Sequence, residues 1–183
     1  MTPMLGIMAS SRLVASTAYE SIASFTPTSG SSVTFTSIPS TYTSLQIRYA
    51  IRTTAAGAIL TLRPNGTSTS IYAYHELNGN GTTPTAFGFA TQTLAEGSGS
   101  QIGTGTTNLT VGVIDVHEYA STTQNKTIRV FSGYDNNGTG EVALLSGLFG
   151  ATTAISSFQL TVGGTTFLAA GGSTISLYGI KGA

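Results

Sequence analysis

The chain has 183 residues, of which 8% are charged and 23 are glycine; cysteine and tryptophan are absent, and Lys+Arg and Asp+Glu balance at 7 each for zero net charge. A typical soluble domain is about 25% charged; cations this sparse cannot coat phosphates, so nucleic-acid binding through a basic face is excluded. Without cysteine there are no disulfides, thiolate zinc sites or thiol catalysis, and an apolar content of 40% argues against disorder.

The opening residues MTPMLGIMASSRLVAS have no Lys or Arg ahead of a very short apolar stretch, and Arg12 follows closely, so they read as mature protein rather than a secretion signal. Met4, Leu5, Ile7 and Met8 precede the first strand pattern and have none of their own. Methionine adapts to irregular grooves, and burial stabilises by about 1.5–3 kcal/mol per large side chain before ordering costs. Residues 1–18 are therefore expected to be a docking arm, with Met4, Leu5, Ile7 and Met8 seated on another subunit. Residues 19–183 are expected to form one domain.

From there the apolar period is mostly two, as in half-buried strands. A first strand is expected near Tyr19 to Thr26, then Val33 and Phe35 alternating with Thr34 and Thr36. Leu45, Ile47, Tyr49 and Ile51 alternate with Gln46, Arg48, Ala50 and Arg52, and the run Ala58 to Arg63 ends at Pro64-Asn65-Gly66. Further strands are expected at Ile71 to Glu76, Leu109 to Val116, Thr127 to Tyr134, Val142 to Phe149, Ile155 to Val162 and Thr174 to Ile180. Asn78-Gly79-Asn80-Gly81, Asn136-Asn137-Gly138, Gly163-Gly164 and Gly171-Gly172 supply tight-turn chemistry. Residues 82–107 are poor in bulky apolar side chains, and Glu96-Gly97-Ser98-Gly99-Ser100 reads as an exposed loop tip. The fold class expected is all-β: an antiparallel β-sandwich, jelly-roll-like, with an extended N-terminal arm. No apolar run is long enough to span a membrane as a helix.

Reactive constellations are weak. His75 and His117 each precede a glutamate, Glu76 and Glu118, but adjacent strand residues point to opposite faces, and Asp115 is the one obvious third ligand. Asp135, Asn137, Thr139 and Gly140 fit the opening of a calcium loop, yet its closing acid would be Ser146; a hairpin turn is the simpler reading. Gly97-Ser98-Gly99 is no strained nucleophile elbow, and the carboxylates offer no evident pair for glycoside hydrolysis. The chain is thus expected to be non-enzymatic, with no cofactor and no metal. Tyr72, Tyr74, Phe87 and Phe89 flank a Gly-rich loop. They are candidate host-contact residues for sugar stacking, against the plainer reading of Tyr72 and Tyr74 as core.

The strings SSVTFTSIPSTYTSLQIRYAIRT (31–53), IYAYHELNGNG (71–81), KTIRVFSGYDNNGTG (126–140) and ISLYGIKG (175–182), with LGIMASS (5–11), resemble small β-rich structural proteins of tailed bacteriophages. The resemblance spans most of the chain and is weakest over 82–107. It rests on strand-and-turn patterns rather than catalytic signatures. It implies localisation in the virion, as a capsid decoration (cement) subunit or a tail-fibre or appendage component, with no catalytic residue to transfer. A chain without heptads or a shaft suits a cap repeated over a lattice. The expected partners are further copies of the chain as a homo-oligomer, taken as a trimer, and the major capsid protein or another virion protein. Host-surface glycan is the alternative partner; nucleic acid and membrane are not expected.

Overall fold

The computed structural model describes residues 18–104, 108–136, 138–168 and 172–182. Alternating β-branched and polar residues fold there into twelve strands and no helix. In chain order these are β1 (Tyr19–Phe25), β2 (Ser32–Phe35), β3 (Ser44–Ile51), β4 (Leu60–Pro64), β5 (Tyr72–Gly79) and β6 (Pro84–Gln92). They continue with β7 (Ala95–Glu96), β8 (Thr110–His117), β9 (Lys126–Asp135), β10 (Gly140–Phe149), β11 (Phe158–Val162) and β12 (Thr174–Ile180). An eight-stranded sheet runs β1-β12-β3-β8-β9-β10-β5-β6 and a four-stranded sheet runs β2-β11-β4-β7. Every strand pairing is antiparallel.

The core lies between the sheets, as strand alternation requires. Leu45, Ile47, Ile51, Ile114, Val116, Ile128, Leu145, Phe149, Ile175 and Leu177 come from the larger sheet; Leu60, Leu62, Phe158, Leu160 and Val162 come from the smaller one. Lys126 is fully buried at the start of β9. Its Nζ donates to the carbonyls of Ser121, Gln124 and Ala151 at 2.7, 2.9 and 3.1 Å, which ties down the β8–β9 connection.

Expected and observed strands agree over most of the chain. The run expected from Ile155 becomes a strand at Phe158, because Ser156 and Ser157 give their N–H groups to the Asn65 side chain. The β9–β10 connection is a hairpin in which the Asn136 N–H donates to the Thr139 carbonyl at 2.7 Å and Gly138 has φ +107°. Met4, Leu5, Ile7 and Met8 lie outside the described residues.

Residues 82–104 depart from expectation. They contain β6 and β7, and the Gly-Ser segment is buried rather than an exposed tip. Ser98 and Ser100 are fully buried. The segment passes between the sheets because it is thin and carries its own hydroxyls. Gly97 N–H donates to Leu60 O at 2.7 Å, the Ser98 hydroxyl accepts from Leu60 N–H at 3.0 Å and donates to Ser100 O at 2.8 Å, and Ser132 donates to Ser98 O. Small polar residues here satisfy backbone groups in a dry layer.

Candidate functional site: an apolar sheet face and an acidic aromatic cleft

The outward face of the larger sheet is divided. Over β1, β12 and β3 it is polar. Arg48 lies over the rings of Tyr19 and Tyr178 at 5.0 and 5.2 Å and bonds Gln46. Gln46 in turn bonds Asp115, which faces Arg129 at 3.6 Å.

Towards the other edge the face turns apolar. The strand register aligns Val113, Phe131, Leu144, Leu77 and Ala86 in one row across β8, β9, β10, β5 and β6. The adjacent row is Val111, Gly133, Val142, Gly79 and Pro84. Phe131, Leu77 and Val111 are 59%, 55% and 54% exposed. The next row, Asp115, Arg129, Ser146 and His75, is polar and bounds the patch. A shallow depression of about 600 Å³ runs between Val111, Val113, Phe131 and Val142. None of these outward residues was singled out from the sequence. The signal was present in Val142-Ala143-Leu144-Leu145: an apolar run on both faces of a strand marks a strand covered on both sides.

On the inward side, the β5–β6 edge carries a cleft of about 310 Å³ lined by Tyr74, Glu76, Asn78, Phe87, Phe89, Glu96 and Glu141, among others. Alternation sends Tyr72, Tyr74, Glu76 and Asn78 to one face of β5, and the register places Phe87 and Phe89 opposite Glu76 and Tyr74. The Tyr74 and Phe89 rings are 5.0 Å apart, and Phe87 and Phe89 are 6.4 Å apart. Three of the four aromatics named from the sequence therefore come together. Tyr72 does not join them: it is 1% exposed, packs on Phe149 at 5.2 Å and donates to Thr67 O at 2.9 Å. As a core residue it is withdrawn from the host-contact set. His75 points to the opposite face from Glu76, on the outward side. Among the described residues no group of three His, Cys, Asp or Glu side chains is placed to hold a metal ion.

The carboxylates, scattered along the sequence, prove to be clustered. Glu76, Glu96 and Glu141 converge on this cleft from β5, β7 and β10. The Asn78 amide donates to Glu76 at 3.3 Å and also to Glu141, and Glu141 accepts the Gln101 N–H at 3.0 Å. Burial holds Glu76 above the ordinary glutamate range; the Asn78 hydrogen bond opposes this, and the charges of Glu96 and Glu141 add to it. Burial raises Glu96 likewise, with the Tyr74 hydroxyl pulling it back down.

A carboxyl whose folded pKa lies above its unfolded one contributes stability that is full below the unfolded value and is lost as pH rises through the folded value. The cleft is therefore expected to be most stable under mildly acidic conditions, near and below pH 4.5, and to lose stability toward neutrality. Glu96→Gln, which keeps an acceptor for Tyr74, is expected to raise the thermal midpoint at pH 7 and flatten its dependence between pH 4 and 7. An unchanged slope contradicts this.

Comparison of the chain with known protein families, with curated proteins and with solved structures returns no match.

Proposed function

We propose that the chain is a non-enzymatic virion structural protein of a tailed bacteriophage, a capsid decoration subunit that binds the head surface through its N-terminal arm and through contacts between copies. The observation that carries this reading is the pair of apolar rows on the outward sheet face. Contiguous exposed apolar surface on a folded domain marks protein contact, and zero net charge leaves copies free to crowd. The finer architecture, a jelly-roll-like sandwich with residues 1–18 as arm, belongs to this reading. What supports it is the interleaving of distant strands, with β12 between β1 and β3 and β10 between β9 and β5.

The test is incorporation into particles. Phe131→Glu with Leu144→Glu places two charges in one apolar row and leaves the core untouched. The folded variant is expected to be lost from purified particles; incorporation at the native level contradicts the reading.

The cleft favours a second reading, an appendage protein recognising host-surface glycan. Exposed phenylalanines beside amide and carboxylate acceptors are a pattern that suits sugars. Saturable binding of the purified chain to host polysaccharide, lost in Phe89→Ala, supports this reading, and no binding at high concentration removes it.

A further inference from the structure

Sheet edges invite pairing unless they are protected, and natural edges are kept short, charged or bulged. Three of the four edges here follow that rule. β2 has four residues and β7 has two. β1 carries Glu20, paired with Lys181 at 2.6 Å, and a bulge between Ser21 and Ala23. β6 is only partly protected. It has nine residues, all but the last exposed, with a proline at its first position and a bulge near its end, between Phe89 and Gln92; Thr85 to Phe89 between them pair in unbroken register with no charge or bulge. No charged residue occurs from Leu77 to Ala95. The described residues supply no strand beyond it.

We propose that β6 pairs antiparallel with β6 of a second copy, so that two eight-stranded sheets become one continuous sheet. A second copy fits this edge for two reasons. The strip is neutral, so a two-fold pairing opposes no like charges, which would otherwise destabilise the ladder. Both apolar rows run out to this edge, at Ala86 and Pro84; a two-fold axis beside Thr85 sets Pro84 of one copy against Ala86 of the other and extends the rows into one band across both subunits. A nine-residue strand contact runs about 30 Å and falls short of the roughly 1,600 Å² of a standard interface. The expected affinity is micromolar, the strength in an assembly coming from repetition.

This deepens the assembly reading, and it is tested on the isolated chain without particles, so either can fail alone. Sedimentation of the full chain from about 1 to 200 μM is expected to show a reversible dimer. Ala86→Lys, an exposed edge charge, is expected to weaken it at least tenfold without changing the thermal midpoint. The chain has no cysteine, so single cysteines report position cleanly. Among Thr85→Cys, Phe87→Cys and Phe89→Cys, Thr85→Cys, nearest the two-fold axis, is expected to cross-link to itself on oxidation most readily, whereas Ser24→Cys on the opposite edge stays monomeric. A monomer throughout the range, a dimer indifferent to Ala86→Lys, or equal cross-linking through Ser24→Cys overturns the proposal.

Discussion

Gly112→Ala is expected to destabilise the fold by about 3–5 kcal/mol, overpacking together with a lost hydrogen bond. Gly112 lies on β8 directly opposite Tyr49 of β3. Its neighbours Val111 and Val113 face outward, so its own missing side chain points into the core. A Cβ there would overlap the Tyr49 hydroxyl and ring. The ring has no retreat: Tyr49 is 4% exposed, and its hydroxyl donates to Gly97 O at 3.0 Å, inside the segment that passes between the sheets. Relief through Tyr49 therefore costs either that bond or the packing of 97–100. In a Tyr49→Leu background the same Gly112→Ala change is expected to cost less than about 1 kcal/mol, because residues in contact are not additive. Urea unfolding of the four chains measures this, and equal losses in both backgrounds contradict it.

Deletion of residues 1–12 is expected to leave the body folded and to reduce its association with particles by about tenfold per copy. The described strands begin at Tyr19, and the first described side chain packed against the core is Ile22, so every described core residue remains after the deletion. The deleted piece holds Met4, Leu5, Ile7 and Met8. Burying the four large side chains on a neighbour contributes about 6–12 kcal/mol, against about 5–10 kcal/mol for ordering the backbone of residues 4–8. The net is about 1–2 kcal/mol, and about 1.4 kcal/mol corresponds to tenfold. An unchanged melting curve with weakened particle binding is the expected pair of results. Unaltered binding removes the arm from the account, and a collapsed melting curve shows that it belongs to the body.

The strands were legible where one face is buried and the other wet. Leu45 to Ile51 and Thr127 to Tyr134 show this, with period two and clear turn residues at their ends. β6 was not legible, because both its faces are exposed along Pro84 to Thr91 and an edge strand over a cleft needs no apolar alternation. The burial of Ser98 and Ser100 was hidden for the opposite reason. Glycine and serine mark flexible loops by composition, yet the same small size and hydroxyls let a chain cross a dry interior. The aromatic part of the cleft could be read from Tyr74, Phe87 and Phe89. Its acidic part could not, since Glu96 and Glu141 meet Glu76 only through the sheet order. One clue was local: Glu76 and Asn78 share the face of Tyr72, and polar residues at inward strand positions signal a site or an opening rather than core.

On the proposed reading the molecule is an adhesive β-body that acts by contact. Imaging intact particles at a resolution that traces strands tests this most directly. The expected result is the twelve-stranded body at repeated positions on the head surface, its outward apolar rows covered by a neighbouring chain. A head surface without it, or a body whose apolar face stands open to solvent there, contradicts the account.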